Sequence, residues 1–424
     1  MDDALKTLIR EKLVARRAEQ FQFLRGLVAT HSENPPGDSD AVAETTAAAL
    51  KRLGFGVERH RVPNELAAEH GMARVTNLVS RHVFGAGNVI ALNARGDTPP
   101  AGGGWSVDPF AADIKKGVIT GLGVLGKADI AAYAYALLAL RDAKPDLAGT
   151  VELHVTFDGE TGGELGPLWL LRKGIVNPDY AIGSGLAHGI GTSTMGDLQM
   201  EVEIEARDIA RDVARDVARE PAGAAGVTVA ADAMAVASGI INALYDMNHA
   251  FANIRSSVPG IGTPSLVVGE IEGGRRPDKR PERVVFRLDR RIIPDETPAT
   301  VEKSLTRLIA EVGSLEDGIV CRIRRLKLAP PMKPMAGSGR LAGILERQAS
   351  ETTGRAVKPY GVTFDAGARH YAGQGVPTVL YGAGPATAAA GNMGGPDERL
   401  DLDDLRIATE VIALTLAEFL KPTG

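Results

Sequence analysis

The stretch DIAAYAYALLALRDAKPDLAGTVELHVTFDGETGGELGPLWLL, Asp129–Leu171, decides the fold class. DIAAYAYALLAL is strongly helical, TVELHVTF alternates like a strand, and Pro167 begins another helix. Outward on both sides the same alternation persists. Upstream, residues 4–29 carry Leu5, Leu8, Ile9 and Leu13 at helical spacing, and SENPPGDSD breaks the chain at Pro35, Pro36 and Gly37. Ser39 or Asp40 caps a helix that runs to about Leu53 and ends at Gly54 and Gly56. GVERHRV and NVIALNA read as strands. After Cys321 the segments LAGILERQAS, VPTVLY and LRIATEVIALTLAEFL resume the pattern. Strands alternating with helices predict an α/β domain, its largely parallel sheet covered by helices.

Between these runs the pattern changes. LQMEVEIEA places Leu198, Met200, Val202 and Ile204 on one face, and SLVVGEIEG and RVVFRLD are further strands. Helices are expected at about 230–247 and 298–312. Strands on one side and two helices on the other predict a small α+β domain inserted at 195–314, which splits the α/β domain into 1–194 and 315–424. One segment inside it is unusual. ARDIARDVARDVARE, Ala206–Glu220, repeats a four-residue unit in which Arg207, Arg211, Arg215 and Arg219 are each followed by an acid. It reads either as a solvated charged segment or as a partner-binding surface.

Composition narrows the function classes. Lys+Arg total 48 against 53 Asp+Glu, for a net charge of −5, which argues against broad nucleic-acid binding. No stretch approaches the ~20 apolar residues of a membrane span, and the charged opening MDDALKTLIREKLVARRAEQ does not read as a secretory signal. Cys321 is the sole cysteine, so disulfides, iron–sulfur clusters and thiolate zinc sites cannot form within one chain. Cytoplasmic residence is the expectation. Glycine supplies 50 of 424 residues, against a usual ~7%, which implies many tight turns around a cleft. No Gly-x-Ser-x-Gly elbow and no phosphate loop is evident.

Eight strings occur in order: SENPPG, GWSVDPF, the GLG turn at Gly121–Gly123, TFDGETGGELG, GEIEGG, RLDRRIIP, VPTVLYGAG and GGPDERLDLDDL. Together they resemble the family that includes acetylornithine deacetylase, succinyl-diaminopimelate desuccinylase, aminoacylase and carboxypeptidase G2, over nearly the whole chain. The resemblance implies a zinc-peptidase-like catalytic domain with an inserted dimerisation or lid domain, hence a homodimer. It implies hydrolysis of an amide next to a carboxylate by two zinc or related ions that share a bridging water and a bridging aspartate, with a glutamate as base. Position by position, the fit is poor. The first ligand histidine falls on Arg95, although Asp97 of that motif is present. The bridging aspartate falls on Gly126. The base falls on Gly159, while its neighbour, the ligand Glu160, is present. The next acid falls on Ser184 and the last histidine on Gly394. No histidine lies between His249 and His370 or beyond His370, so realignment cannot restore that ligand. The histidine that relatives lend across the dimer has no counterpart between His188 and His249, and the asparagine expected after the glycine pair falls on Asp278. Two carboxylates without imidazole do not hold two zinc ions in the usual way, and arginine cannot ligate a metal. Neither a metal centre nor a cofactor is therefore expected.

What remains predicts a metal-independent site. Arg95, Asp97, Lys127 and Glu160 form the candidate catalytic cluster, with Lys127 or Glu160 as base and Arg95 steadying a developing anion. The same cluster, fully salt-bridged, would instead plug a dead metal site. Arg291 matches the arginine that in relatives grips the substrate carboxylate. Asp365, Gly382 and Gly384 match the cleft wall, Asp158 matches the aspartate beside the acidic pair, and His188 is a substrate-side candidate. His154 and His370 read as structural. The expected function is an enzyme that binds a small carboxylate-bearing amide or amino-acid derivative between the domains and acts by hydrolysis or elimination. One alternative is a catalytically silent relative that binds a ligand or partner. Another is an amidohydrolase with a single metal on Asp97 and Glu160, helped by His188.

Overall fold

The computed structural model describes residues 2–206, 231–364 and 367–422. Asp365 and the arginine–acid repeat after Ala206 lie outside the described residues. The chain divides into two compact units, Met195–Pro331 and the remainder.

The larger unit is α/β. Its eight-stranded sheet runs, edge to edge, Glu58–Arg61, Thr76–Val83, Thr150–Thr156, Val89–Arg95, Tyr180–Gly183, Thr378–Leu380, Ile190–Thr194 and Pro359–Val362. From Thr150–Thr156 to Thr378–Leu380 the strands are parallel. The flanks are not all so, and the sheet is mixed rather than largely parallel. Connection length explains this. The loop 184–189 is too short for a parallel crossover, which needs a dozen or more residues, and Ile190–Thr194 runs antiparallel to Thr378–Leu380. The apolar helix Val124–Ala143 is buried on nearly all sides and packs against Leu402–Phe419, Asp3–Ala15, Arg17–Val28 and Val89–Arg95. The helix expected over 4–29 is in fact two, broken at Arg16, whose guanidinium is drawn to Asp142 and Glu19. Because the central strands are parallel, their carboxyl ends share one edge, where the following loops and the first turn of Val124–Ala143 meet.

The smaller unit is α+β. Its antiparallel sheet has the order Ser265–Gly273, Arg283–Ile292, Gly196–Ala206, Ile319–Ala329. Leu198, Met200, Val202 and Ile204 pack with Phe286 and Leu288 against Ala233–Ala250 and Pro298–Gly313, through Ile240, Leu244, Leu305 and Ile309. The other face carries Glu201, Glu203 and Glu205 paired with arginines of both neighbouring strands. The boundary expected at 314 is corrected to 331. Ile319–Ala329 pairs along the whole of Gly196–Ala206 and completes this sheet. Among the described residues no helix is long and apolar enough to cross a membrane.

Candidate active site

The loops at the carboxyl edge of the larger unit's sheet enclose a cleft of about 920 Å³, its open mouth included. Arg95 closes one central strand and Asp97 lies two residues on; both line the cleft. The Arg95 guanidinium donates to the Glu160 carboxylate. Asp97 is 3% exposed and accepts from the Glu160 amide at 2.9 Å and from Asn34 Nδ2 at 3.3 Å. Its Oδ1 has no hydrogen-bond partner. Burial works against the Arg95 charge, but Glu160, Asp97 and Glu398 together raise its pKa, so the guanidinium stays charged.

The stem of Arg95 lies over two glycines. A β-carbon on Gly159 would stand 3.0 Å from Arg95 Cδ and 3.0 Å from Asp97 Oδ1; one on Gly126 would stand 3.3 Å from Arg95 Cγ. Sequence reasoning paired Arg95 with Asp97 and Glu160 through motif spacing, and the fold brings those three groups together.

Three acids in the cleft wall were not part of the expected catalytic cluster. Asp158 accepts from the amides of Leu165 and Gly166, each at 2.7 Å. Burial, then the nearby Asp97 charge, pushes its carboxyl up to about 7. Asp129, on the helix Val124–Ala143, accepts from the Ala383 amide at 2.6 Å. Burial lifts its carboxyl to about 7, although that amide, the Ser184 hydroxyl and the Gly185 amide favour the charged form. Glu398 accepts from the amides of Gly123, Leu125 and Gly394, and burial raises its pKa. Arg369 completes the wall and donates to the Gly162 carbonyl, as does His370 Nε2, at 2.8 Å. Burial, aided by Arg369, pulls His370 down to about 4, so it is a neutral donor. Asp129 and Lys127 are the only charges between Val124 and Leu140, a signal the sequence offered. Glu398 had only its place in GPDERL.

Other expected site residues lie elsewhere. Lys127 is 1% exposed, donates to the Thr30 carbonyl at 3.0 Å and does not line the cleft. Burial lowers its pKa to about 8 against the pull of Glu398, Glu33 and Asp97. His188 is held by Asp404 at 2.7 Å, outside the cleft wall. Arg291 lies in the smaller unit, paired with Asp289 at 2.9 Å. Gly384 lines the cleft; Gly382 does not, but a β-carbon there would collide with the Asp129 carboxyl. His154 is fully buried, between Glu152 and the Tyr371 hydroxyl.

Residues 91–418 match the model of peptidase family M20/M25/M40. The chain belongs to that family. Succinyl-diaminopimelate desuccinylase of Gluconacetobacter diazotrophicus is 32% identical over 158 residues, 35% of this chain and 37% of the relative. The same enzyme of Acidiphilium cryptum is 35% identical over 144 residues, 34% of each. The chain thus spans little more than a third of the length of these relatives. Human carnosine dipeptidase 1 superposes with a TM-score of 0.75 at 18% identity, with full coverage of both chains. A Bacillus subtilis protein described as a dinuclear metal binding peptidase superposes with a TM-score of 0.64 at 15% identity, over 96% of this chain and 99% of that one. At such identities the likeness is one of fold.

The metal pair implied by the resemblance does not fit this donor set. Gly126, Ser184 and Gly394 offer no carboxylate or imidazole at three of its positions, and Gly159 offers none at that of the base. Arg95 brings a cation to a fourth ligand position, and its stem lies over Gly126 and Gly159. Gly394 adopts a φ of +70°, a left-handed conformation that side-chain-bearing residues rarely adopt. Among the described residues no group of three or more His, Cys, Asp or Glu is placed to hold a metal ion.

Proposed function

We propose that this M20-family chain binds a small carboxylate-bearing amide or amino-acid derivative in the cleft of its larger unit and turns it over without a pair of metal ions, by hydrolysis or elimination. The observation that carries this reading is the Arg95 side chain, laid across Gly126 and Gly159 with its guanidinium on Glu160. A guanidinium on a held stem serves both purposes the reading needs. It takes a carboxylate in two-pronged fashion, and it steadies an oxyanion or enolate that forms beside it. The cleft supplies the other partners. Glu160, once its arginine turns to the ligand, is the base. Lys127, which donates to Thr30 away from the cleft, is set aside in that role.

A second reading has its own support. A charge-neutral Arg95–Glu160 pair that stays closed is a plug, and the cleft then holds a ligand without converting it. The single-metal alternative is not supported, because His188 does not line the cleft that holds Asp97. We also assign self-association to the smaller unit and residence to the cytoplasm, the latter in keeping with a single cysteine.

Three measurements test the reading. Elemental analysis of the purified protein should find no stoichiometric zinc or manganese. A thermal-shift screen of carboxylated amides and N-acyl amino acids should find a stabilising ligand. Turnover of that ligand should survive a chelator and fall at least about 100-fold in Glu160→Gln, the usual scale of general-base catalysis. A ligand bound but never converted would leave the silent relative as the answer. Light scattering at a single subunit mass would remove the dimer.

A further inference from the structure

We propose that Arg95 is a resident cation interlocked with Gly126 and Gly159: one side chain pairs with the Glu160 carboxylate beside Asp97 and keeps divalent metal ions out of the cleft. This deepens the metal-independent reading above and rests on it.

The steric half of the argument needs only distances. A β-carbon on Gly159 would stand 3.0 Å from Arg95 Cδ and 3.2 Å from its Nη1, and one on Gly126 would stand 3.5 Å from Arg95 Nε as well as 3.3 Å from Cγ. Carbon atoms pack best at about 3.5–4.0 Å, so a methyl at Gly159 requires the arginine stem to move. The stem cannot move freely. Its backbone is paired with Thr156 in the sheet, and its head is tied to Glu160. The bridging carboxylate that the family's chemistry would need at 126 and the base it would need at 159 are therefore crowded by Arg95, most tightly at 159, and the arginine's path uses the space those glycines leave.

The electrostatic half follows from the same placement. The guanidinium stands beside Asp97 and Glu160, and Glu398 also acts on it. A divalent ion entering here would meet a fixed positive charge and would find Glu160 already engaged. Both side chains are partly buried, 30% and 25% exposed, and an ion that took Glu160 would leave the guanidinium without its partner.

The test uses the full-length chain, zinc(II) as the probe and melting temperature as a readout independent of turnover. After dialysis against zinc, the wild type should carry no metal above buffer and show no shift in melting temperature. Arg95→His, which exchanges the cation for an imidazole beside Asp97 and Glu160, should take up zinc and melt higher in its presence. Gly159→Ala should lower the wild-type melting temperature by several degrees, yet cost clearly less in the R95A background, where the stem is gone and only the Asp97 contact remains. Arg95→Met, which keeps the stem without the charge, should retain the G159A loss. A zinc-free R95H overturns metal exclusion. Equal G159A losses in the wild-type and R95A backgrounds overturn the interlock. Zinc bound stoichiometrically by the wild type would sink the metal-independent reading itself. In that case the G159A comparison still decides the interlock separately.

Discussion

Asp129→Asn should change how the larger unit's stability depends on pH. The carboxyl is buried in the cleft wall against the amides of Ala383 and Gly185 and the Ser184 hydroxyl, with no cation among the groups that act on it. Burial moves it from an ordinary 3.8 to about 7. Between those values the folded chain holds a proton that the unfolded chain has released, so stability falls as pH rises through this window and levels above it. A displacement of about 3 units at ~1.36 kcal/mol per unit places the full loss near 4 kcal/mol. Asparagine keeps an acceptor for the Ala383 amide and has no charge to desolvate. Any hydrogen bond it loses costs the same at every pH, so the difference between the two proteins isolates the titration. Asp158 titrates in the same range in both and cancels. Trp105 and Trp169, the only tryptophans, both lie in the larger unit, so their fluorescence in urea reports its unfolding. From pH 4 to pH 8 the variant should gain about 4 kcal/mol on the wild type. Parallel pH profiles would refute the reasoning and show that Asp129 is already ionised in the fold.

Three further outcomes are expected. Lys127→Met removes a buried amine whose pKa sits near 8; the folded chain sheds that proton before the unfolded one, so wild-type stability should rise relative to the variant between about pH 8 and 10.5, measured by urea midpoints. Asp158→Ala at pH 5 leaves the Leu165 and Gly166 amides without their acceptor and should cost about 2–4 kcal/mol in the same assay. Tyr371→Phe should cost about 1–2 kcal/mol by thermal melting: Glu152 only accepts and so takes His154 Nε2–H, leaving Nδ1 to accept from the Tyr371 hydroxyl at 2.7 Å.

The fold was legible wherever periodicity was strong and both faces of an element were accounted for. Ile130–Leu140 carries no charge and is buried throughout, in the middle of the core. LQMEVEIEA was readable because Leu198, Met200, Val202 and Ile204 meet a helical layer while the glutamates between them meet arginines. IVCRIRRLKLA failed for a physical reason. It is an edge strand whose ladder slips between Arg325 and Lys327, so its alternation breaks where the charges cluster, and charged edges are how sheets discourage further pairing. The domain boundary moved with it.

In the cleft, adjacency along the chain was legible and orientation was not. Arg95, Asp97 and Glu160 follow strand ends, where a motif's spacing fixes which groups meet. Lys127 was expected in the cleft because it neighbours Gly126, but successive helical residues point about 100° apart, and its ammonium turns to Thr30 instead. The same geometry selects the residue that sequence reasoning passed over. Asp129 is three positions beyond Gly126, on the same helical face, and both line the cleft. The glycine that gives Arg95 its space and the acid that faces the opposite loops are therefore set by one turn of one helix. A shift of that helix's register by a single residue would bring Lys127 to the wall and bury Asp129 behind it, exchanging a site that holds protons for one that holds charge.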